Sequence, residues 1–135
     1  MNVLIVDDDS IARLILRRIL HHHFGAATVE ASNGVEALLA LQSSSFDLVV
    51  LDLRMPEMDG LTVLRAIRSK EWLAKLPVVV LTADRSDEYV HEFIRLGVSS
   101  YLTKPLNGAL IVERLAHVLP PQKPEPAALA SSAAG

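Results

Sequence analysis

The sequence contains no cysteine, which rules out disulfides and thiolate metal sites and fits a cytosolic setting. Aromatic residues make up only 4% of it, and no apolar run approaches the roughly 18 residues needed to cross a bilayer. The start, Met1-Asn2-Val3-Leu4, has no basic segment and no cleavage-like site, so no secretory signal is read there. Net charge is −3 with no basic stripe, which argues against direct nucleic-acid binding. A GxGxxG loop is missing as well, which argues against a dinucleotide-binding fold. What is there is 135 residues, half of them apolar. That is enough for one domain with a real core and too little for two ordinary ones.

Strand-like and helix-like runs alternate five times. Strands are expected over roughly 2–6, 27–31, 47–52, 77–82 and 99–103, and three of these are continuous Val/Ile/Leu runs of the kind buried on both faces of a sheet. Apolar residues at helical spacing mark five helices: Ile11, Leu14, Ile15 and Ile19; Val35, Leu38 and Leu39; Leu61, Leu64 and Ile67; Val90, Phe93 and Ile94; Ile111, Leu115 and Leu119. Asp9 or Ser10, Asn33 with Glu36 three residues on, Asp59, Ser86 and Asn107 are placed to cap them. Gly25 and Gly97 stand where helices one and four should end. A strict βα alternation predicts an α/β fold, a parallel five-stranded sheet with helices on both faces. Residues 1–119 then form the domain, and the Pro/Ala-rich stretch 120–135 reads as a flexible tail or interdomain linker.

The charges fall where the apolar runs stop. Val3-Leu4-Ile5-Val6 leads into Asp7-Asp8-Asp9, Leu48-Val49-Val50-Leu51 into Asp52, and Val78-Val79-Val80-Leu81 into Thr82. Ligands of open parallel sheets bind outside the carboxyl ends of the strands, so these residues should converge on one acidic pocket. Two carboxylates about 4 Å apart repel by roughly 4 kcal/mol at an effective dielectric near 20. Either one keeps its proton or a cation sits among them. Oxygen ligands without Cys or His favour Mg²⁺. Asp52 is then a candidate nucleophile, because carboxylates form aspartyl-phosphates. Lys104 would bring a positive charge and Thr82 a hydroxyl to the phosphoryl oxygens. Phosphoryl transfer asks mainly for positioning and charge neutralisation, which this set supplies.

The residues Val6-Asp7-Asp8, Asp52-Leu53-Arg54-Met55-Pro56-Glu57-Met58-Asp59-Gly60, Thr82-Ala83, Tyr101 and Lys104-Pro105 together resemble the receiver domain of two-component response regulators, over residues 2 to about 119. The resemblance implies a doubly wound (βα)₅, flavodoxin-like fold with strand order 2-1-3-4-5. It implies that Asp52 accepts a phosphoryl group from a histidine kinase or phosphotransfer protein. Mg²⁺ would be held by Asp8 and Asp52, by Asp7 partly through water, and by the backbone carbonyl of Arg54. Thr82 and Tyr101 match the family's switch pair, in which the hydroxyl moves toward the phosphoryl group and the aromatic ring turns inward; Lys104 matches its phosphate-contacting lysine, and Lys104-Pro105 would be a cis peptide. The face formed by helix four, strand five and helix five (about 86–119) would carry the signal to an output domain or downstream protein. A homodimer through that face is an option that no single residue argues for. Such a module promotes its own aspartyl phosphorylation and dephosphorylation and does not turn over an external metabolite. It would work in the cytoplasm, with no membrane contact. Arg54 and Asp84 should flank the pocket mouth and tune the lifetime of the phosphoryl group.

Other features have plainer readings. Asp9 reads as a cap rather than a ligand. His21-His22-His23 should end helix one, where positive charge suits the helix dipole, because consecutive helical residues point to different faces and chelate poorly. His91 and His117 read as surface residues, Tyr101 by itself as a half-buried strand aromatic, and Trp72 as a packed loop anchor. Two rival functions remain. A phosphatase of the haloacid-dehalogenase type would place its nucleophile on the first strand with a second acid two residues on, whereas this chain has Asp52-Leu53-Arg54. The other rival is an unphosphorylated scaffold that binds partners through the helix four to helix five face.

Overall fold

A computed structural model of the chain describes residues 1–83 and 87–119, with the side chains of 87–90 outside that description. Its elements are β1 (Asn2–Val6), α1 (Ser10–Phe24), β2 (Ala27–Ala31), α2 (Gly34–Ser43), β3 (Leu48–Asp52), α3 (Gly60–Ser69), a 3₁₀ turn (Glu71–Leu73), β4 (Val78–Thr82), α4 (Asp87–Arg95), β5 (Ser100–Thr103) and α5 (Gly108–Val118). The strands form one parallel sheet in the order β2-β1-β3-β4-β5. This is the doubly wound α/β arrangement that the alternation predicts.

The continuous apolar runs occupy the middle of the sheet, where both faces are covered. Every residue of β3 and β4 is buried, and so is β1 after Asn2. Successive side chains go to opposite faces. Leu4, Val49, Leu51, Val78 and Val80 meet α2, α3 and α4 through Ala37, Leu41, Val63, Leu64, Ile67 and Phe93. Val3, Ile5, Val50, Val79, Leu81 and Leu102 meet α1 and α5 through Leu16, Leu20, Phe24, Ile111 and Leu115.

Four expected caps form. Asp9, Asn33, Asp59 and Asn107 accept from the backbone N–H groups of Ile11, Glu36, Thr62 and Leu110 at 2.8–3.1 Å. Ser86 lies outside the described residues, as do Asp84 and the segment 120–135. Gly25 closes α1 in the left-handed region (φ 62°), its N–H directed at His21 O and Leu20 O. Gly97 follows α4 with φ 66°.

The helix faces differ from expectation at two places. α1 buries Ala12, Leu16, Leu20 and Phe24, and leaves Ile11 66% exposed and Ile15 37% exposed. α2 buries Gly34, Ala37 and Leu41, while Val35 and Leu39 face out. At the start of α2 the packing is tight: a Cβ on Gly34 would come within 2.7 Å of Met58 Sδ and 2.8 Å of Val63 Cγ2, so no larger residue fits at that position. Trp72 is not a packed anchor either: it is 62% exposed, on the 3₁₀ turn after α3.

Candidate functional site

All the expected acidic residues arrive at the carboxyl end of the sheet. Asp52 is the last residue of β3 and Thr82 the last of β4, each 3% exposed. Asp7 follows β1 and is fully buried, Asp8 beside it is exposed, and Lys104 follows β5. Among the described residues, Asp7, Asp8 and Asp52 offer carboxylate oxygens that all lie within 4.8 Å of one another. Tyr101 does not join them. It sits on β5 with its side chain outside the pocket, 42% exposed, as a half-buried strand aromatic would be.

Lys104 bridges the acids. Its Nζ lies 2.9 Å from Asp7 Oδ2 and 3.3 Å from Asp52 Oδ2. Its backbone N–H donates to Thr82 O at 2.9 Å, and the cis Lys104–Pro105 peptide turns the chain away directly afterwards. On Asp52, Oδ1 accepts from the backbone N–H of Arg54 at 3.2 Å, which puts the Arg54 peptide at the pocket. On Asp7, Oδ1 accepts from Asp9 N at 2.9 Å. Asp7 Oδ2 is buried, and although Lys104 is within ion-pair distance no hydrogen-bond donor is aligned on it.

The charges do not balance: three carboxylates face one ammonium. Burial, followed by the negative charge of Asp7, pushes the Asp52 carboxyl up from 3.8 to about 7, against the pull of the Arg54 N–H and Lys104. Burial alone would lower Lys104, but its close contact with Asp7 and the negative charges of Asp52 and Asp7 prevail, and its pKa is raised. A buried carboxylate oxygen without an aligned donor, next to an all-oxygen cluster with excess negative charge, fits a hard divalent cation. Mg²⁺ suits this donor set, since it takes one or two carboxylates and keeps several waters.

The supporting roles of three residues escaped the sequence reading, although Glu57 and Gly60 lie within the stretch that carries the family resemblance. Arg13 on α1 donates to Asp7 O at 2.6 Å and pairs with Glu30 at 2.9 Å, tying the β1 loop to β2. Gly60 starts α3 so close to β3 that a Cβ would collide with the Asp52 carbonyl oxygen and come within 2.7 Å of Leu53 Cα. Glu57, in the loop between β3 and α3, holds φ at 69°, an uncommon conformation for a residue with a side chain. No periodicity or charge signal marks these positions, because they depend on helix phase and backbone approach.

The chain belongs to the response regulator receiver domain family, whose model matches residues 3–116. It is 38% identical over 115 residues to the chemotaxis protein CheY of Pseudomonas aeruginosa, covering 85% of this chain and 93% of that one. It is 40% identical over 115 residues to the chemotaxis protein CheY-3 of Vibrio cholerae, covering 85% and 88%. Among solved structures, that of Vibrio cholerae CheY4 superposes with a TM-score of 0.81 at 31% identity, over 87% of this chain and 98% of that one. This is therefore a CheY-like receiver domain, a component of two-component signalling with the flavodoxin-like topology of its structural neighbours.

Proposed function

We propose that Asp52 accepts a phosphoryl group from a phosphohistidine of a histidine kinase or phosphotransfer protein, and that the resulting charge is read on the α4-β5-α5 face. The observation that carries this reading is the convergence of Asp7, Asp8 and Lys104 on a buried carboxylate at the end of the central strand. An ionised Asp52 oxygen attacks phosphorus, the P–N bond breaks, and the histidine leaves with the bonding pair. Lys104, already 3.3 Å from Asp52 Oδ2, is positioned to follow the charge onto the phosphoryl oxygens. Thr82, one strand over and equally buried, supplies the hydroxyl for another oxygen. Mg²⁺, held by Asp7, Asp8, Asp52 and the Arg54 carbonyl, would neutralise phosphoryl charge.

Partner surfaces follow from what the domain leaves outside. Ile11 and Ile15 line a cleft of about 270 Å³ with Pro105 and Leu106, directly beside Lys104. We assign it to the phosphodonor protein, whose histidine must approach Asp52 from this side. Ile94 on α4 is 70% exposed and Tyr101 on β5 42% exposed, which gives the opposite rim an apolar, aromatic surface suited to an output partner. Among the described residues no helix is long and apolar enough to cross a membrane. The reading is of a cytoplasmic switch that acts on itself rather than an enzyme for an external metabolite.

Incubation with acetyl phosphate and Mg²⁺, followed by intact-mass measurement, tests the reading. One phosphoryl adduct per chain supports it. Steady release of phosphate over many turnovers favours a phosphatase, and no adduct at any Mg²⁺ concentration favours a scaffold.

A further inference from the structure

Tyr101 is held from the far side of its own strand. β5 is the edge strand of the sheet, and Tyr101 alternates with Leu102, whose side chain is buried against α5. The Tyr101 ring therefore leaves on the α4 side. Arg114 belongs to α5, adjacent in sequence to the buried Leu115, and reaches around the sheet edge to it. One guanidinium nitrogen donates to Tyr101 O at 3.0 Å, and Cζ stands 5.4 Å from the centroid of the Tyr101 ring. A single side chain thus grips both the backbone and the ring of Tyr101, a residue that is 42% exposed.

From this geometry we infer that Arg114 is a latch that holds the Tyr101 ring in its outward position and so sets how readily the switch turns on. The inference rests on the receiver reading and adds a positioning residue to it. An inward turn of the ring takes it away from the guanidinium and gives up the cation–π contact, while the hydrogen bond to Tyr101 O can persist because the backbone need not move. The latch therefore favours the outward state specifically. A cation–π contact at an exposed site corresponds to about a two- to fivefold bias in that equilibrium. Any ligand that prefers the inward state must work against this bias.

A double-mutant cycle tests it, with beryllofluoride plus Mg²⁺ as phosphoryl mimic and ¹⁹F NMR reporting bound and free fluoride species. Arg114→Ala and Arg114→Gln should each lower the concentration for half-saturation about two- to fivefold, while Arg114→Lys, which keeps the cation, should stay nearer the parent chain. Glutamine retains a donor for Tyr101 O, so its agreement with alanine assigns the effect to the ring contact. In a Tyr101→Ala background Arg114→Ala should shift nothing. Equal shifts in both backgrounds, or none in either, overturn the latch while leaving the receiver reading intact. Failure of the parent chain to bind the mimic at all overturns both.

Discussion

Asparagine in place of Asp52 should stabilise the metal-free protein, and by more as pH rises. The Asp52 carboxyl has an ordinary pKa of 3.8 once the chain unfolds and about 7 in the folded pocket, chiefly because burial and then Asp7 disfavour its charged form. Between those values the folded chain keeps a proton that the unfolded chain has lost, so this group's contribution to stability falls as pH rises from about 4 to 7. At full value the gap corresponds to roughly 4 kcal/mol. The pocket opens to water past the exposed Asp8, and that screening leaves about 1–2 kcal/mol. For a domain of this size that corresponds to a rise in melting temperature of about 3–8 °C for Asp52→Asn at pH 8, fading towards pH 4. Lys104 does not distort the window. A raised lysine contributes stability below its ordinary 10.5 and loses it only above. The assay is thermal or urea unfolding of both proteins in EDTA at half-unit steps from pH 4 to 8. A stability difference that stays flat, or shrinks with rising pH, refutes the picture of Asp52 as a carboxyl strained by burial and by its neighbour.

The other predictions address the supports. Gly60→Ala must push α3 away from the Asp52 carbonyl, so it should cost about 1–3 kcal/mol in urea unfolding and weaken Mg²⁺ binding by calorimetry. An unchanged Mg²⁺ affinity would separate the helix contact from the site. Arg68 on α3 donates to Leu96 O at 2.6 Å, Leu73 O at 3.2 Å and Gly97 O at 3.1 Å, tying α3 and the 3₁₀ turn to the end of α4. Arg68→Ala should therefore lose about 2–3 kcal/mol, with little rescue by lysine, which lacks the planar fork. Thr82→Ala should still take up phosphate from acetyl phosphate but show a weaker Tyr101 response, followed by ¹⁹F NMR of fluorotyrosine. Loss of Mg²⁺ binding alone in that variant would remove Thr82 from the switch.

How much of this was legible depended on where the signal lay. β1, β3 and β4 are covered on both faces, so their runs are apolar without alternation and their boundaries fall within one residue of expectation. The acidic site was legible for the same reason, since Asp7, Asp52 and Thr82 each end such a run. Helix phase was not. In α1 the larger side chains Ile11 and Ile15 compete with a second stripe of Ala12, Leu16 and Leu20, and only tertiary packing decides which turns inward. The inward stripe of α2 is Gly34, Ala37 and Leu41 rather than the Val35 and Leu39 to which size pointed, and at Gly34 Met58 and Val63 leave no room for a side chain. The roles of Arg13, Gly60 and Arg114 depend on those same phases and approaches, which is why those roles surfaced only in three dimensions. The exposed Ile11 and Ile15, first expected in the core, became part of the proposed donor-docking cleft.

The most direct test of Asp52 as phosphoacceptor is to locate the phosphoryl group. The chain is treated with acetyl phosphate and Mg²⁺, quenched in acid and mapped by peptide mass. A base-labile adduct should appear on the peptide spanning Asp52 and nowhere else, and Asp52→Asn should abolish it. An adduct that persists in Asp52→Asn, or that maps to another acid-stable side chain, would contradict the assignment.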